Sequence, residues 1–323
     1  MLEATAETGF MQSSWWADFR VTTGFEHFGA ILRTPDGIVG GAMVQRYSFS
    51  GENCFYYIQD GPVLPAEASI AGDVFEAILE EIDRRRTTDQ QRVSHLRIEP
   101  RWESLPDFVN GFTSLQSKDR YLEPRNTLCI DLRPSEDAIL SQMKPKGRYN
   151  IRVAQRHGVL VSEDNSERGL GDFLSIYEDT AARQRFGAKP PEYFEELTSV
   201  LWSCGRGSLF FAEHEGVRVA AALVVYFGKR ATYFFGGSLV KNRQVMAPCL
   251  LHFEIMRQAK GRNYEWYDLW GVSPENKTDD PWRDISVFKR KFGGREVRLV
   301  PALDYVYDQE AYQLYVGEMG EGG

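Results

Sequence analysis

Cysteine is scarce in this chain: Cys54, Cys129, Cys204 and Cys249 are the only four among 323 residues, and no two are close in sequence. That spacing argues for reduced core thiols rather than a disulfide framework or a cysteine-built zinc site, and so for a reducing compartment. Long apolar runs are missing as well. The longest, Val219 to Phe227, falls far short of the roughly 20 residues that cross a bilayer and reads as a buried strand. The N-terminus, MLEATAETGFMQSSWW, lacks a basic segment followed by an apolar stretch, so no secretory signal is expected and the protein is expected in the cytoplasm. Basic charge is in deficit, with 38 Lys and Arg against 46 Asp and Glu, a net charge of −8. Proteins that coat nucleic acid gain most of their energy by neutralising phosphates, so any RNA contact here is local and DNA is not an expected partner.

Several catalytic signatures are also absent. There is no Gly-x-Ser-x-Gly elbow, no His-Glu-x-x-His and no phosphate-binding P-loop, which leaves hydrolase, zinc-protease and nucleotidase chemistry without support. The histidines, His27, His95, His157, His214 and His252, are dispersed and read as surface or satisfied core residues, so no metal site is expected.

What is present is a plan used twice. Residues 29–99 run as GAILRTPDG, IVGGAMVQRYSF, CFYYIQDGPVL, a helical stretch from near Ser69, and VSHLRIEP. Residues 208–270 run as SLFFAEHEG, VRVAAALVVYF, ATYFFGGSL, a helix from about Pro248 to Lys260, and YEWYDLWG. Asp36-Gly37 and Glu215-Gly216 sit at the hairpin turns, and the aromatic pairs Tyr56-Tyr57 and Tyr233-Phe234 follow at nearly equal distances. Pro248 suits a first helical turn and Gly261 its C-cap. Hairpin, third strand, helix and closing strand form the core of the N-acetyltransferase-like fold. The expected class is therefore α+β: two tandem domains of that kind, each a mixed, mostly antiparallel sheet flanked by helices. The boundaries expected are 1–133, completed by the C-terminal segment 301–323, and 134–300. Such a fold suggests acyl transfer only by analogy.

Between the copies, Ser135 caps a helix with Glu136 and Asp137 in its first turn, and Pro145 and Gly147 break it. A second helix ends at Gly158 and carries Arg148, Arg152 and Arg156 at intervals of four, a basic stripe that is either a solvated face or a local tRNA contact. Coenzyme A binding would need a glycine-rich loop before the main helix, where backbone N–H groups cradle the pyrophosphate. The second copy has RQVMAP there and the first GPVLPAEAS, so coenzyme A is not the expected donor.

Three stretches carry a more specific signal: MKPKGRYNIRVAQRHGV (143–159), YFFGGSLVKNRQVMAPCLLHFEIMRQAKGRNYEWYDLWGV (233–272) and VFKRKFGG (287–294). Together with QSSWWADFR near the start, they resemble the Fem family of FemA, FemB and FemX type, non-ribosomal aminoacyltransferases that build peptidoglycan interpeptide bridges. The resemblance implies two N-acetyltransferase-like domains, an aminoacyl-tRNA donor, a muropeptide acceptor and no cofactor. Members acting on lipid-linked precursors often carry a long helical arm in the second domain. Between Asp164 and Phe210 this chain has room only for two ordinary helices around FGAKPPEYF, so it is closer to the FemX type, whose acceptor is a soluble UDP-linked muropeptide, and it is expected to be a monomer. Armless relatives in peptide-antibiotic pathways keep the acceptor open.

Aminolysis of an ester needs orientation, a neutral amine and positive potential at the developing oxyanion. By resemblance, Lys289 in FKRKF is the important cation, acting on the oxyanion or on the terminal tRNA phosphate, with Arg290 and Lys291 as tRNA contacts. Without the resemblance the same three residues read as a solvated charge run, and an extended segment would put Arg290 opposite Lys289 and Lys291. The FemX pattern for the acceptor diphosphate maps onto Arg20, Lys189 with Tyr193, and Tyr233. It departs in having Arg at the first place and Lys at the second, which keeps the charge but exchanges a planar fork for a point charge. Glu99, at the end of VSHLRIEP, is a candidate to receive the amine proton, or else a structural strand end. The remaining readings are coenzyme A-dependent N-acylation and a silent tRNA- or muropeptide-binding module.

Overall fold

A computed structural model describes residues 8–112, 115–118, 122–184, 187–275, 280 and 282–321. The first seven residues of the N-terminal reading, and Phe186 of FGAKPPEYF, lie outside the described residues. In chain order the elements begin α1 (Ser14–Thr22), β1 (Glu26–Thr34), β2 (Gly37–Phe49), β3 (Asn53–Gln59), α2 (Ala68–Arg86), β4 (Arg92–Glu99) and β5 (Leu115–Lys118). Next come β6 (Asn126–Asp131), α3 (Glu136–Gln142), α4 (Pro145–Arg156), β7 (Leu160–Glu163), α5 (Glu167–Gln184), α6 (Pro191–Ser203), β8 (Gly207–His214), β9 (Val217–Phe227) and β10 (Arg230–Ser238). The chain closes with α7 (Ala247–Gly261), β11 (Trp266–Gly271), α8 (Arg283–Lys289), β12 (Arg295–Arg298), β13 (Ala302–Val306) and α9 (Gln309–Glu321).

The chain divides into two units, 1–125 with 298–323, and 126–297. The first holds a sheet in the order β1-β2-β3-β4-β13-β5, and β13 returns from the C-terminal segment to pair antiparallel with β4. The second holds β12-β6-β11-β10-β9-β8-β7. The expected boundary at 133/134 therefore moves to 125/126, because β6 pairs with β11 and belongs to the second sheet.

Both sheets are mixed and mostly antiparallel, and both repeat one unit. An antiparallel hairpin leads to a third strand, and a helix then crosses to a strand parallel to it: β3 beside β4 across α2, and β10 beside β11 across α7. This is the N-acetyltransferase-like plan. The hairpin turn at Glu215-Gly216 takes positive φ at both residues, 52° and 77°, the geometry whose twist suits a two-residue hairpin. The apolar run of β9 is buried on both faces, as a central strand covered by helices should be. Pro248 falls in the first turn of α7. Gly261 is the last helical residue rather than the cap, and the left-handed conformation that ends the helix falls to Asn263 at φ 64°. Ser135 caps α3 by accepting from the Ala138 N–H at 3.3 Å. Among the described residues no helix is long and apolar enough to cross a membrane.

Candidate active site

The FKRKF segment is helical, so the expected strand alternation does not apply. Lys289 ends α8, and a single 3₁₀ turn over Arg290–Phe292 follows. Nor is it a solvated charge run, since Lys289 is 4% and Arg290 8% exposed. Arg290 is tied down, donating to the Ser273 carbonyl at 2.6 Å and pairing with Glu296 through Nε and Nη2. Lys291 is half-buried, with Nζ 5.5 Å from the centre of the Phe288 ring.

Two of the sequence stretches singled out above meet at this turn. The Lys144 N–H at the start of α4 donates to the Lys291 carbonyl at 3.0 Å. Gly147 packs so closely that a Cβ there would lie 2.4 Å from the same carbonyl oxygen. Gly293, at φ 74°, passes the Gln142 carbonyl at a distance that likewise leaves no room for a side chain. The glycines of KPKG and FGG thus let two backbones touch and fix the turn that carries Lys289.

The Lys289 Nζ donates to the Gly271 carbonyl at 2.7 Å and lies 5.8 Å from the Tyr233 ring centre and 6.0 Å from that of Trp282. Burial pulls its pKa down to about 7, partly opposed by the negative charge of Asp268. Buried His252 shares a 2.7 Å hydrogen bond through Nδ1 with the Tyr267 hydroxyl and packs edge-on against Tyr233 at 4.6 Å. Burial, with the charge of Lys289 behind it, lowers its pKa to about 3, so this satisfied core histidine is neutral at any physiological pH. Burial also raises the Tyr233 phenol above its ordinary value.

Lys189 and Tyr193 approach the same region along a line of aromatic rings. The Lys189 Nζ stands 5.3 Å from the Tyr193 ring centre, Tyr193 contacts Phe235 at 6.0 Å, and Phe235 lies just past the irregularity in β10 that follows Tyr233. Phe234 then contacts Trp270 at 5.5 Å, one residue before Gly271. The second unit therefore holds two of the expected pairs, Lys189 with Tyr193 and Tyr233 with Lys289. The basic stripe on α4 is less uniform than its spacing implies. Arg148 is half-buried and bonds the Met143 carbonyl at the end of α3, whereas Arg152 and Arg156 are exposed.

Arg20 and Glu99 belong to the first unit, in a polar cluster where β3 and β4 end. Arg20 donates to the Tyr47 hydroxyl at 2.9 Å, with its guanidinium 3.7 Å from the Phe25 ring centre. Both Glu99 oxygens are occupied, accepting from the Leu122 N–H at 2.7 Å, the Glu123 N–H at 3.0 Å and the Tyr57 hydroxyl at 2.8 Å. Burial raises the Glu99 pKa, and these three donors oppose the rise. Its neighbour Glu123 accepts from Gln59 Nε2 at 2.6 Å, and burial, with the like charges of Asp60 and Glu99, pushes it up to about 8. Sequence reasoning missed Glu123, Asp268, Trp270 and Gly271. Only Asp268 left a signal, as a lone acid inside the apolar strand WYDLWG that must find partners when buried. Glu123 lies in an irregular segment with no periodicity to betray it.

At the start of α7 three amides are locally satisfied. Val245, Met246 and Cys249 N–H groups bond the carbonyls of Asn242, Arg243 and Met246, and Pro248 has no N–H to offer.

The FemAB family model matches residues 102–200 and 208–317. The UDP-N-acetylmuramoylpentapeptide-lysine N(6)-alanyltransferase of Weissella viridescens is 29% identical over 194 residues, 59% of this chain and 56% of that protein. The Lipid II:glycine glycyltransferase of Staphylococcus epidermidis is 22% identical over 265 residues, 63% of each. The chain thus spans somewhat under two thirds of the length of these curated relatives. The crystal structure of FemX shares the fold with a TM-score of 0.88 at 16% identity, covering 97% of this chain and 96% of that one. The C-terminal domain of a putative lysylphosphatidylglycerol synthetase from Agrobacterium fabrum superposes with a TM-score of 0.53 at 14% identity, over 90% and 88%. With a family match over more than half its length, the chain belongs to the FemAB family.

Proposed function

We propose that the protein is an aminoacyltransferase that moves an amino acid from aminoacyl-tRNA to the amine of a peptidoglycan precursor peptide, with a UDP-linked muropeptide preferred. The observation that carries this reading is Lys289, a buried cation next to aromatic walls in a chain whose relatives are named alanyl- and glycyltransferases. In the reaction the acceptor amine attacks the ester carbonyl, a C–N bond forms, the ester C–O bond breaks, and the ribose hydroxyl leaves with a proton. No enzyme nucleophile is required.

A buried lysine near pKa 7 has little preference between its two forms at neutral pH. An oxyanion or a phosphate beside it tips the balance to ammonium, so the positive charge is strongest where negative charge develops. Lys189, Tyr193 and Tyr233 in the second unit, and separately Arg20 in the first, are proposed as acceptor-binding residues. Arg152, Arg156 and Lys291 are proposed to meet tRNA, while Arg148 and Arg290 are mainly occupied in bonding the Met143 and Ser273 carbonyls. Glu99 is saturated with donors, which favours a role in orienting the 122–123 backbone over one as proton acceptor. The locally bonded amides at α7 support a donor other than coenzyme A. With charged tRNA and a UDP-linked precursor as the proposed substrates, the proposed location is the cytoplasm.

The test is to incubate the protein with a mixed pool of charged tRNA and UDP-muropentapeptide and to read the product by mass. The expected product is heavier by one amino-acid residue. An unchanged acceptor mass, under conditions where a known transferase of the family gives product, rejects this acceptor and leaves the peptide-antibiotic route to be tried.

A further inference from the structure

The parallel pairing of β11 with β10 runs only from Arg230↔Trp266 to Thr232↔Asp268. On its other side, β11 jumps register against β6 between Asp268↔Cys129 and Gly271↔Thr127. Three steps along β11 thus face two along β6, so one extra residue bulges from the strand. Within the bulge, Trp270 takes φ 61°, a conformation costly for a large side chain and held only where the surroundings enforce it.

The enforcing group is Asp268, fully buried. Its Oδ1 accepts from the Trp270 N–H at 2.9 Å and from the Thr127 hydroxyl on the facing strand, and its Oδ2 accepts from Arg230 at 2.9 Å. One carboxylate therefore clamps the bulged residue, the strand opposite and the start of the strand beside it. The next carbonyl, that of Gly271, is the one that receives the Lys289 Nζ. Beyond it, the Ser273 N–H donates to the Ser286 hydroxyl of α8, and the Ser273 carbonyl accepts from Arg290. The bulge and the Lys289 turn are thus stitched together at successive residues.

We infer that Asp268 is a positioning residue for Lys289: by closing the bulge at Trp270 it fixes the direction of the Gly271 carbonyl and with it the place of the lysine amine. A flat continuation of β11 would alternate its carbonyls along the ladder and direct the Gly271 oxygen elsewhere. The same carboxylate is the negative charge that partly offsets burial at Lys289. Asp268 therefore governs both where the amine sits and how readily it holds its proton. This rests on Lys289 being the working cation of the proposed transfer.

The test uses the full chain with isotopically labelled lysine side chains, the Lys289 resonance being assigned by its loss in Lys289→Met. In Asp268→Asn the amide oxygen can still accept from Thr127 and Trp270, but the charge is gone and the amide nitrogen, a donor, replaces the acceptor of Arg230. The expected result is a Lys289 titration midpoint lower by about one pH unit, with kcat reduced tenfold or more and KM for the acceptor within about twofold. Thr127→Val keeps the charge and removes one clamp, so kcat should fall a few-fold with the midpoint unmoved. If Asp268→Asn does not fold, Thr127→Val carries the test by that split alone. A folded Asp268→Asn with an unmoved Lys289 midpoint would overturn the inference, as would Thr127→Val at wild-type kcat. A shifted midpoint in Asp268→Asn alongside full activity in Lys289→Met would instead reject the role of Lys289 and leave the positioning intact.

Discussion

In the first unit the parallel pair β3–β4 ends among carboxylates; in the second the pair β10–β11 ends beside a lysine. The scaffolds repeat, yet the buried group driven furthest towards neutrality is a carboxyl, Glu123, in the one and an amine, Lys289, in the other. Burial acts on both in the direction of neutrality, raising Glu123 to about 8 and lowering Lys289 to about 7. One duplicated fold can thus present an acidic cluster in one copy and a single poised cation in the other. The proposed assignment loads the copies unequally: the second carries the transition-state charge at Lys289 together with Lys189, Tyr193 and Tyr233 for the acceptor, and the first contributes Arg20.

The sharpest way to break that division is Lys289→Met, which keeps the aliphatic length. The expected loss is about 10²–10³ in kcat, the typical effect of removing one oxyanion donor, with acceptor affinity unchanged. If the lysine serves tRNA phosphate instead, the defect appears as salt-sensitive donor binding recoverable at high tRNA concentration. Wild-type kcat would leave the second unit without its transition-state cation.

Arg20→Ala and Lys189→Ala should do the reverse, weakening UDP-muropeptide binding by about tenfold each while kcat at saturation stays within a few-fold. Equal affinity in wild type and both variants would remove the acceptor assignment and favour an antibiotic-peptide acceptor. Arg290→Met probes the framework between these extremes. It leaves the Ser273 carbonyl and Glu296 without their cation, and unfolding should become easier by about 1–3 kcal/mol. A melting temperature equal to wild type would show that the turn is held by other contacts.

The smallest effects sharpen the comparison through pH. Lys289 has a folded pKa below its unfolded value, so between about 7 and 10.4 the unfolded chain binds more protons and stability rises with pH. Lys289→Met should therefore be stabilised most at and below pH 7, with the gain fading towards pH 10. Glu123 has a folded pKa above its unfolded value, so its contribution is present below about pH 4.3 and is lost as pH rises through 8. Glu123→Gln should be stabilised chiefly above pH 8. Denaturant midpoints followed from pH 5 to 10 check both, and parallel shifts in the two variants would contradict the opposed burial of the two groups.

The strand rhythm, both crossover helices and the hairpin turns were legible because each rests on local pattern: alternating apolar residues, glycine at turns, proline in a first helical turn. The membership of β6 was not, because which sheet a lone strand joins depends on pairing partners far away in sequence. Lys-Arg-Lys reads as a charge run until Gly147 and Gly293 are seen to bring two backbones into contact and sink the turn. Glu99 was visible as an acid at a strand end, but its three donors were not, since two come from backbone more than twenty residues away. A list of charged residues does not say which of them burial has already satisfied.

The central claim is that the acyl group arrives as an ester on tRNA. It is tested most directly by a single-turnover reaction with tRNA carrying a labelled amino acid, a muropeptide acceptor and the protein in excess. The account predicts label in the peptide without ATP or coenzyme A, and none after the tRNA is digested with RNase. Label transferred from free amino acid and ATP after RNase treatment, or saturable binding of coenzyme A by calorimetry, would contradict it.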